Sequence, residues 1–65
     1  MKKYKVLDIY DGIDLRETLG YADNIREIKK LAKERIKDTD GECLVAYLEL
    51  DTTKNKYRLD TIVIL

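Results

Sequence analysis

The sequence predicts one α+β domain, spanning residues 1–65, in which a single helix packs on one face of a small antiparallel sheet. The chain has 65 residues, which is room for one domain only. Residues 24–37 have apolar side chains at helical spacing, whereas the segments on either side are rich in the β-branched and aromatic residues typical of strands. The absence of proline and the presence of only three glycines favour regular elements joined by short connections.

The N-terminal third is predicted to form two strands. Residues 3–10 are rich in β-branched, aromatic and aliphatic side chains, and Asp11-Gly12, a strong hairpin sequence, follows directly. A second strand is therefore predicted within residues 14–21, which gives the order ββαββ. The alternative order is βαββ, with residues 11–22 as a long loop, although a structureless connection of that length is uncommon in so small a domain.

The helix is predicted over residues 24–37. Its apolar side recurs at steps of three and four residues and consists of Ile25, Ile28, Leu31, Ala32 and Ile36. Asn24 and Glu27 have the spacing of a capping box, with Asn in place of the usual Ser or Thr. The segment Asp38-Thr39-Asp40-Gly41 is expected to end the helix.

A hairpin is predicted after the helix, with strands at residues 42–50 and 56–65. Residues 51–55 form its loop, in which Asn55 can adopt the left-handed conformation that a β-branched residue resists. These strands carry apolar side chains on both faces, and one helix can cover only one of them.

The excess apolar surface leads to a prediction of partner binding. A second copy of the chain, a different protein or the curling ends of the sheet could cover it, or a small sheet could tolerate it exposed. The surface expected to bind a partner is the sheet face formed by Val45, Tyr47, Ile62 and Ile64.

The helix also carries a basic stripe that could hold phosphates of nucleic acid. Its residues are Arg26, Lys30, Lys33 and Lys37, with Lys29 alongside. The alternative interpretation is a solvated helix face, because the chain has no glycine-rich loop and no aromatic residues interleaved with the basic ones.

The composition argues against an enzymatic or metal-binding function. The formal charge is zero and there is no histidine, so the usual general base and the commonest metal ligand are both missing. The single cysteine, Cys43, lies in an apolar strand without a base to activate it. The acidic residues Asp8, Asp11 and Asp14 do not have calcium-loop spacing. We therefore expect no catalysis, no cofactor and no metal.

The unpaired thiol of Cys43 is typical of a reducing, cytoplasmic setting, and the basic N-terminus is followed by too few apolar residues for a signal peptide or membrane span. In size and in its Lys, Ile, Asp and Tyr content the chain resembles small proteins encoded by bacterial phages and mobile elements. The predicted function is a non-enzymatic protein-interaction module of the small inhibitor or adaptor type, self-associating as a homo-oligomer. The alternative is a nucleic-acid-binding accessory protein that uses the basic helix face.

Overall fold

The computed structural model describes all 65 residues and has the predicted order of elements. The strands are β1 (Tyr4–Asp8), β2 (Glu17–Ala22), β3 (Val45–Asp51), β4 (Lys56–Tyr57) and β5 (Val63–Ile64), and the helix is α1 (Ile25–Thr39). All strand pairs are antiparallel, in the order β2-β1-β3-β4, with β5 also pairing with β3. One helix on a small curled antiparallel sheet confirms the predicted α+β fold.

The connection between β1 and β2 is longer than a tight Asp11-Gly12 hairpin. Gly12 has a φ of 107°, and a 3-10 turn, Ile13–Leu15, follows it before β2 begins. A bulge between Val6 and Leu7 then shifts the register between β1 and β2. The second strand is confirmed, but it begins at Glu17, three residues after the start of the predicted range.

α1 is capped at both of its ends. The Asn24 side chain accepts a hydrogen bond from the backbone amide of Glu27 at 3.0 Å, and the Glu27 carboxylate accepts one from the amide of Asp23 at 3.3 Å. The predicted N-cap at Asn24 is therefore confirmed, whereas the reciprocal bond to Glu27 comes from the amide of Asp23, one residue before the N-cap residue of a standard capping box. The helix ends at Thr39, two residues beyond the prediction, because Asp40 adopts the left-handed conformation at a φ of 53°.

The helix lies over only part of the sheet. It packs mainly against β2 and β1, and its approach to β2 is close, because a Cβ atom at Gly20 would lie 3.2 Å from the Leu31 side chain. The core beneath it consists of Val6, Ala22, Ile28, Ala32 and Val45. Of β3, only its first residue, Val45, belongs to this core, so β5 and the rest of β3 are left largely without a helix above them.

The last predicted strand, residues 56–65, is not continuous. A 3-10 turn, Leu59–Thr61, separates β4 from β5, and both short strands pair with β3. Leu50 lies opposite Tyr57 while Tyr47 lies opposite Val63, so the turn inserts three extra residues. Since side chains alternate between faces, an odd insertion reverses the face to which each later residue points. The hairpin loop is as predicted, with Asn55 left-handed at a φ of 53°.

Apolar residues also lie buried on the face that α1 does not touch. Leu7 and Ala46 are paired neighbours on this reverse face and both are fully buried, and Leu48 is buried beside them. The chain has no second α-helix to cover them, and the 3-10 turn Leu59–Thr61 contacts β3. Curling of the chain on itself, one of the outcomes considered from sequence, therefore accounts for the central part of the reverse face.

Candidate functional site

The four residues predicted to form one partner-binding face do not share a face. Val45 is only 6% exposed and belongs to the core beneath α1, and Tyr47 packs against the same core. Ile64 lies opposite Ala46 on the reverse face and is 56% exposed, while Ile62 is half-buried just before β5. The predicted grouping is wrong because α1 covers the face that contains Val45 and because the three-residue insertion reverses the orientation of β5.

Exposed apolar side chains gather instead at one end of the molecule, which we call the edge patch. Each is between 39% and 56% exposed, and the members are Ile36, Leu44, Val63, Ile64 and Leu65. Three of them, Ile36, Leu44 and Leu65, line an open cleft of about 270 Å³ between the end of α1 and β5. No charged residue lines this cleft. The apolar cleft and the two exposed side chains of β5 beside it together make up the edge patch, with Val63 on the α1 face of the sheet and Ile64 on the reverse face.

Sequence reasoning missed this patch because its members come from three separate segments. Ile36 was assigned to the core side of the helix, yet it lies in the last turns of α1 and is 49% exposed. Leu44 precedes β3, and Leu65 follows β5. Only the placement of the helix over β1 and β2 shows that these three residues adjoin one another.

The basic residues of α1 form a second candidate site, which we call the basic crest. Arg26, Lys29, Lys30 and Lys33 line one open depression of about 510 Å³ together with Ile25. Lys37 is exposed on the same helix but does not line this depression. None of the five cations is ion-paired, since the ion pairs of the chain involve only Lys2, Arg35 and Arg58. The crest is therefore a group of cations that form no ion pair, although Glu27 and Glu34 lie beside Lys30 on the same helix.

Asp8 is the most constrained polar residue, and sequence reasoning treated it only as part of an acidic segment. Its side chain is buried, and one carboxylate oxygen accepts hydrogen bonds from the amides of Tyr10 at 2.9 Å and Leu44 at 3.2 Å. The other oxygen lies 2.7 Å from Nε of Arg35, which also contacts Glu17 at 2.7 Å. Asp8 thereby joins the end of β1 to α1 and to the segment before β3.

These contacts alter the acidity of Asp8. Burial raises the pKa of its carboxyl group, but hydrogen bonds from the Tyr10 amide, Arg35 and the Leu44 amide together outweigh burial. The pKa of Asp8 is therefore lowered from its ordinary value, and the group is a carboxylate whenever the protein is folded near neutral pH. The contacts of Asp8 are those of a structural element that links β1, α1 and the segment before β3.

The fold and its two surfaces define a small α+β chain with one apolar patch and one basic crest. No group of three or more Asp, Glu, Cys or His side chains lies close enough to hold a metal ion. α1 falls short of the length and apolar character needed to cross a bilayer. Comparison with protein-family models, with curated proteins and with solved structures found no match.

Proposed function

We propose that this chain is a non-enzymatic protein-interaction module of the small inhibitor or adaptor type, and that it self-associates through the edge patch. The observation that carries the proposal is the open cleft that Ile36, Leu44 and Leu65 line without a charged residue, next to the exposed Val63 and Ile64 of β5. Contiguous apolar surface of this kind is typical of sites where proteins bind one another. The single thiol of Cys43 suits a cytoplasmic setting, and the composition suits a phage or mobile-element origin.

The exposed area supports the same proposal. The chain exposes 4733 Å² of surface. A folded monomer of 7.6 kDa is expected to expose about 4,300 Å². The excess of roughly a tenth fits a flat molecule, which measures 38 × 25 × 14 Å. Association at the edge patch would remove part of this excess from water.

The first test places a charge within the edge patch. We expect Ile36→Lys to shift the native chain from concentration-dependent self-association to monomer, because a buried lysine at the interface would be desolvated in each copy. Lysine also suits the last turns of a helix, so α1 should remain folded. The measurement is sedimentation velocity over a wide range of protein concentration.

The matched control is Leu15→Lys, which adds the same charge at a residue that is 72% exposed and lies outside the patch. This variant should associate as the native chain does. A native chain that stays monomeric at the highest attainable concentration would refute the proposal, and so would equal association of Ile36→Lys and Leu15→Lys.

The basic crest supports a second candidate function, sequence-independent binding of nucleic acid. Four cations without ion pairs share one depression, and no aromatic residue lines it, so the contacts available are to phosphates and not to stacked bases. We expect a mobility shift at low salt, with log K falling against log salt at a slope of about −3 to −4 for four phosphate contacts.

The variant for this test replaces Arg26, Lys30 and Lys33 with glutamine, which keeps helix propensity while removing three charges. Its salt slope should fall to about −1. The control replaces Lys3, Lys54 and Lys56, three cations outside α1, and should retain the native slope. Absence of any shift at low salt on single- and double-stranded probes would eliminate this function.

A further inference from the structure

The outer edges of the sheet differ in how well they are protected against pairing with another strand. The edge strand β2 is interrupted by the bulge opposite Val6 and Leu7, and its Glu17 is ion-paired with Arg35. The edge strand β4 carries Lys56 and is followed by Arg58. Bulges and charged side chains are the usual means by which sheet edges avoid association. β5 has no bulge in its pairing with β3, and residues 61–65 contain no charged side chain.

The backbone of β5 also presents unpaired hydrogen-bonding groups. The Leu65 amide donates to the Val45 carbonyl at 3.0 Å, so these two residues form a hydrogen-bonded pair. In an antiparallel ladder, hydrogen-bonded pairs alternate with pairs in which the N–H and C=O groups of each residue point away from the partner strand. Ile64, opposite Ala46, forms a pair without hydrogen bonds to β3. Ile62, two residues earlier, is also extended, with φ −60° and ψ 134°, so it has the same orientation. The N–H and C=O groups of both isoleucines therefore point to the side of β5 where no strand lies.

We propose that β5 pairs antiparallel with β5 of a second copy of this chain, around a two-fold axis that passes beside Val63. In this register the N–H and C=O groups of Ile62 in one copy form two hydrogen bonds with those of Ile64 in the other copy. The two-fold axis generates a second such pair, so four hydrogen bonds join the two copies. The inference rests on the proposed function, because it assigns the mode by which the edge patch brings two copies together.

A second copy suits this edge for reasons of symmetry and charge. An antiparallel pair of identical strands is self-complementary, which is the requirement for a two-fold interface. Since residues 61–65 have no charged side chain, two copies meet there without like-charge repulsion between side chains. Val63 and Ile64 point to opposite faces, so apolar contacts form on both sides of the joined sheet. α1 lies over β1 and β2 and leaves this edge clear.

The variant that tests the pairing is Ile64→Pro. Proline has no N–H, and at an edge position whose amide points outward it does not remove a bond to β3. We expect sedimentation analysis to show the dimer dissociation constant raised on the order of tenfold to a hundredfold, because two of the four reciprocal hydrogen bonds are lost. Ile64→Val keeps the N–H and a β-branched side chain, and it should dimerise as the native chain does.

Amide hydrogen exchange of the native chain provides a measurement that does not depend on a variant. The Ile64 amide has no partner within the chain, so its exchange should slow as protein concentration rises, while the Leu65 amide stays protected throughout. Slowing at Ile64 with loss of dimer in Ile64→Pro supports the inference. Equal dimerisation of Ile64→Pro and Ile64→Val, or concentration-independent exchange at Ile64 in a dimerising chain, overturns it and leaves the proposed function standing. A chain that never dimerises overturns both.

Discussion

Replacement of Asp8 by alanine is expected to lower the free energy of unfolding by about 3 kcal/mol. The substitution removes the acceptor for the amides of Tyr10 and Leu44 and leaves Arg35 without its shortest contact. A chain of this length has a total stability of roughly 3 to 10 kcal/mol, so the loss is a large part of the whole. Urea unfolding followed by circular dichroism measures it.

Asp11→Ala is the matched control, because Asp11 is an exposed aspartate three residues away in the β1–β2 connection. Its effect should stay within about 0.5 kcal/mol. If Asp8→Ala and Asp11→Ala unfold at the same urea concentration, the hydrogen bonds of Asp8 do not stabilise the fold.

The pH dependence of the Asp8 contribution follows from the direction of its pKa shift. The folded protein holds the pKa of Asp8 below its value in the unfolded chain, so the unfolded chain takes up a proton first as pH falls. The stabilisation by Asp8 is therefore complete above the unfolded pKa of about 3.9 and is lost as pH falls below it. In Asp8→Asn this part of the acid dependence is absent, so its difference in stability from the native chain should shrink below about pH 4.

Sequence alone was sufficient for features that depend on neighbouring residues. The apolar spacing of residues 24–37 and the box formed by Asn24 and Glu27 are local, and the structure has α1 and its cap where they were predicted. The left-handed Asn55 and the order ββαββ also follow from short-range patterns. Each of these depends on backbone preferences that operate within a few residues.

Features that depend on tertiary placement could not be predicted. β3 has apolar residues on both faces, so its pattern does not indicate that α1 covers Val45 and not Ala46. Leu59 to Thr61 continue the alternation of a strand, and only pairing of both short strands with β3 shows the inserted turn. The role of Asp8 depends on Arg35, which is 27 residues away. A charged residue in a strand gives no indication of such a distant partner.

Ile28→Ala should destabilise the chain by about 3 to 4 kcal/mol, within the range of buried isoleucine-to-alanine changes. Ile28 is fully buried, and its side chain lies in the core that α1 forms with β1, β2 and β3. Of the four other buried members of this core, two are alanines, Ala22 and Ala32, which have no flexible side chain to move into the cavity; the larger side chains packed against the core are only partly buried. The cavity should therefore remain largely unfilled, and the loss should lie toward the upper part of the range.

Ile25→Ala provides the comparison, since Ile25 lies on the same helix but is 46% exposed. This variant deletes the same atoms without leaving a closed cavity, so its cost should be about 1 kcal/mol or less. Urea unfolding of both variants should show equal slopes and different midpoints, because the surface exposed on unfolding is nearly the same. Equal midpoints would mean that the contact of α1 with the sheet is not the main source of stability, whereas a lower midpoint for Ile28→Ala places the cooperative core at that contact.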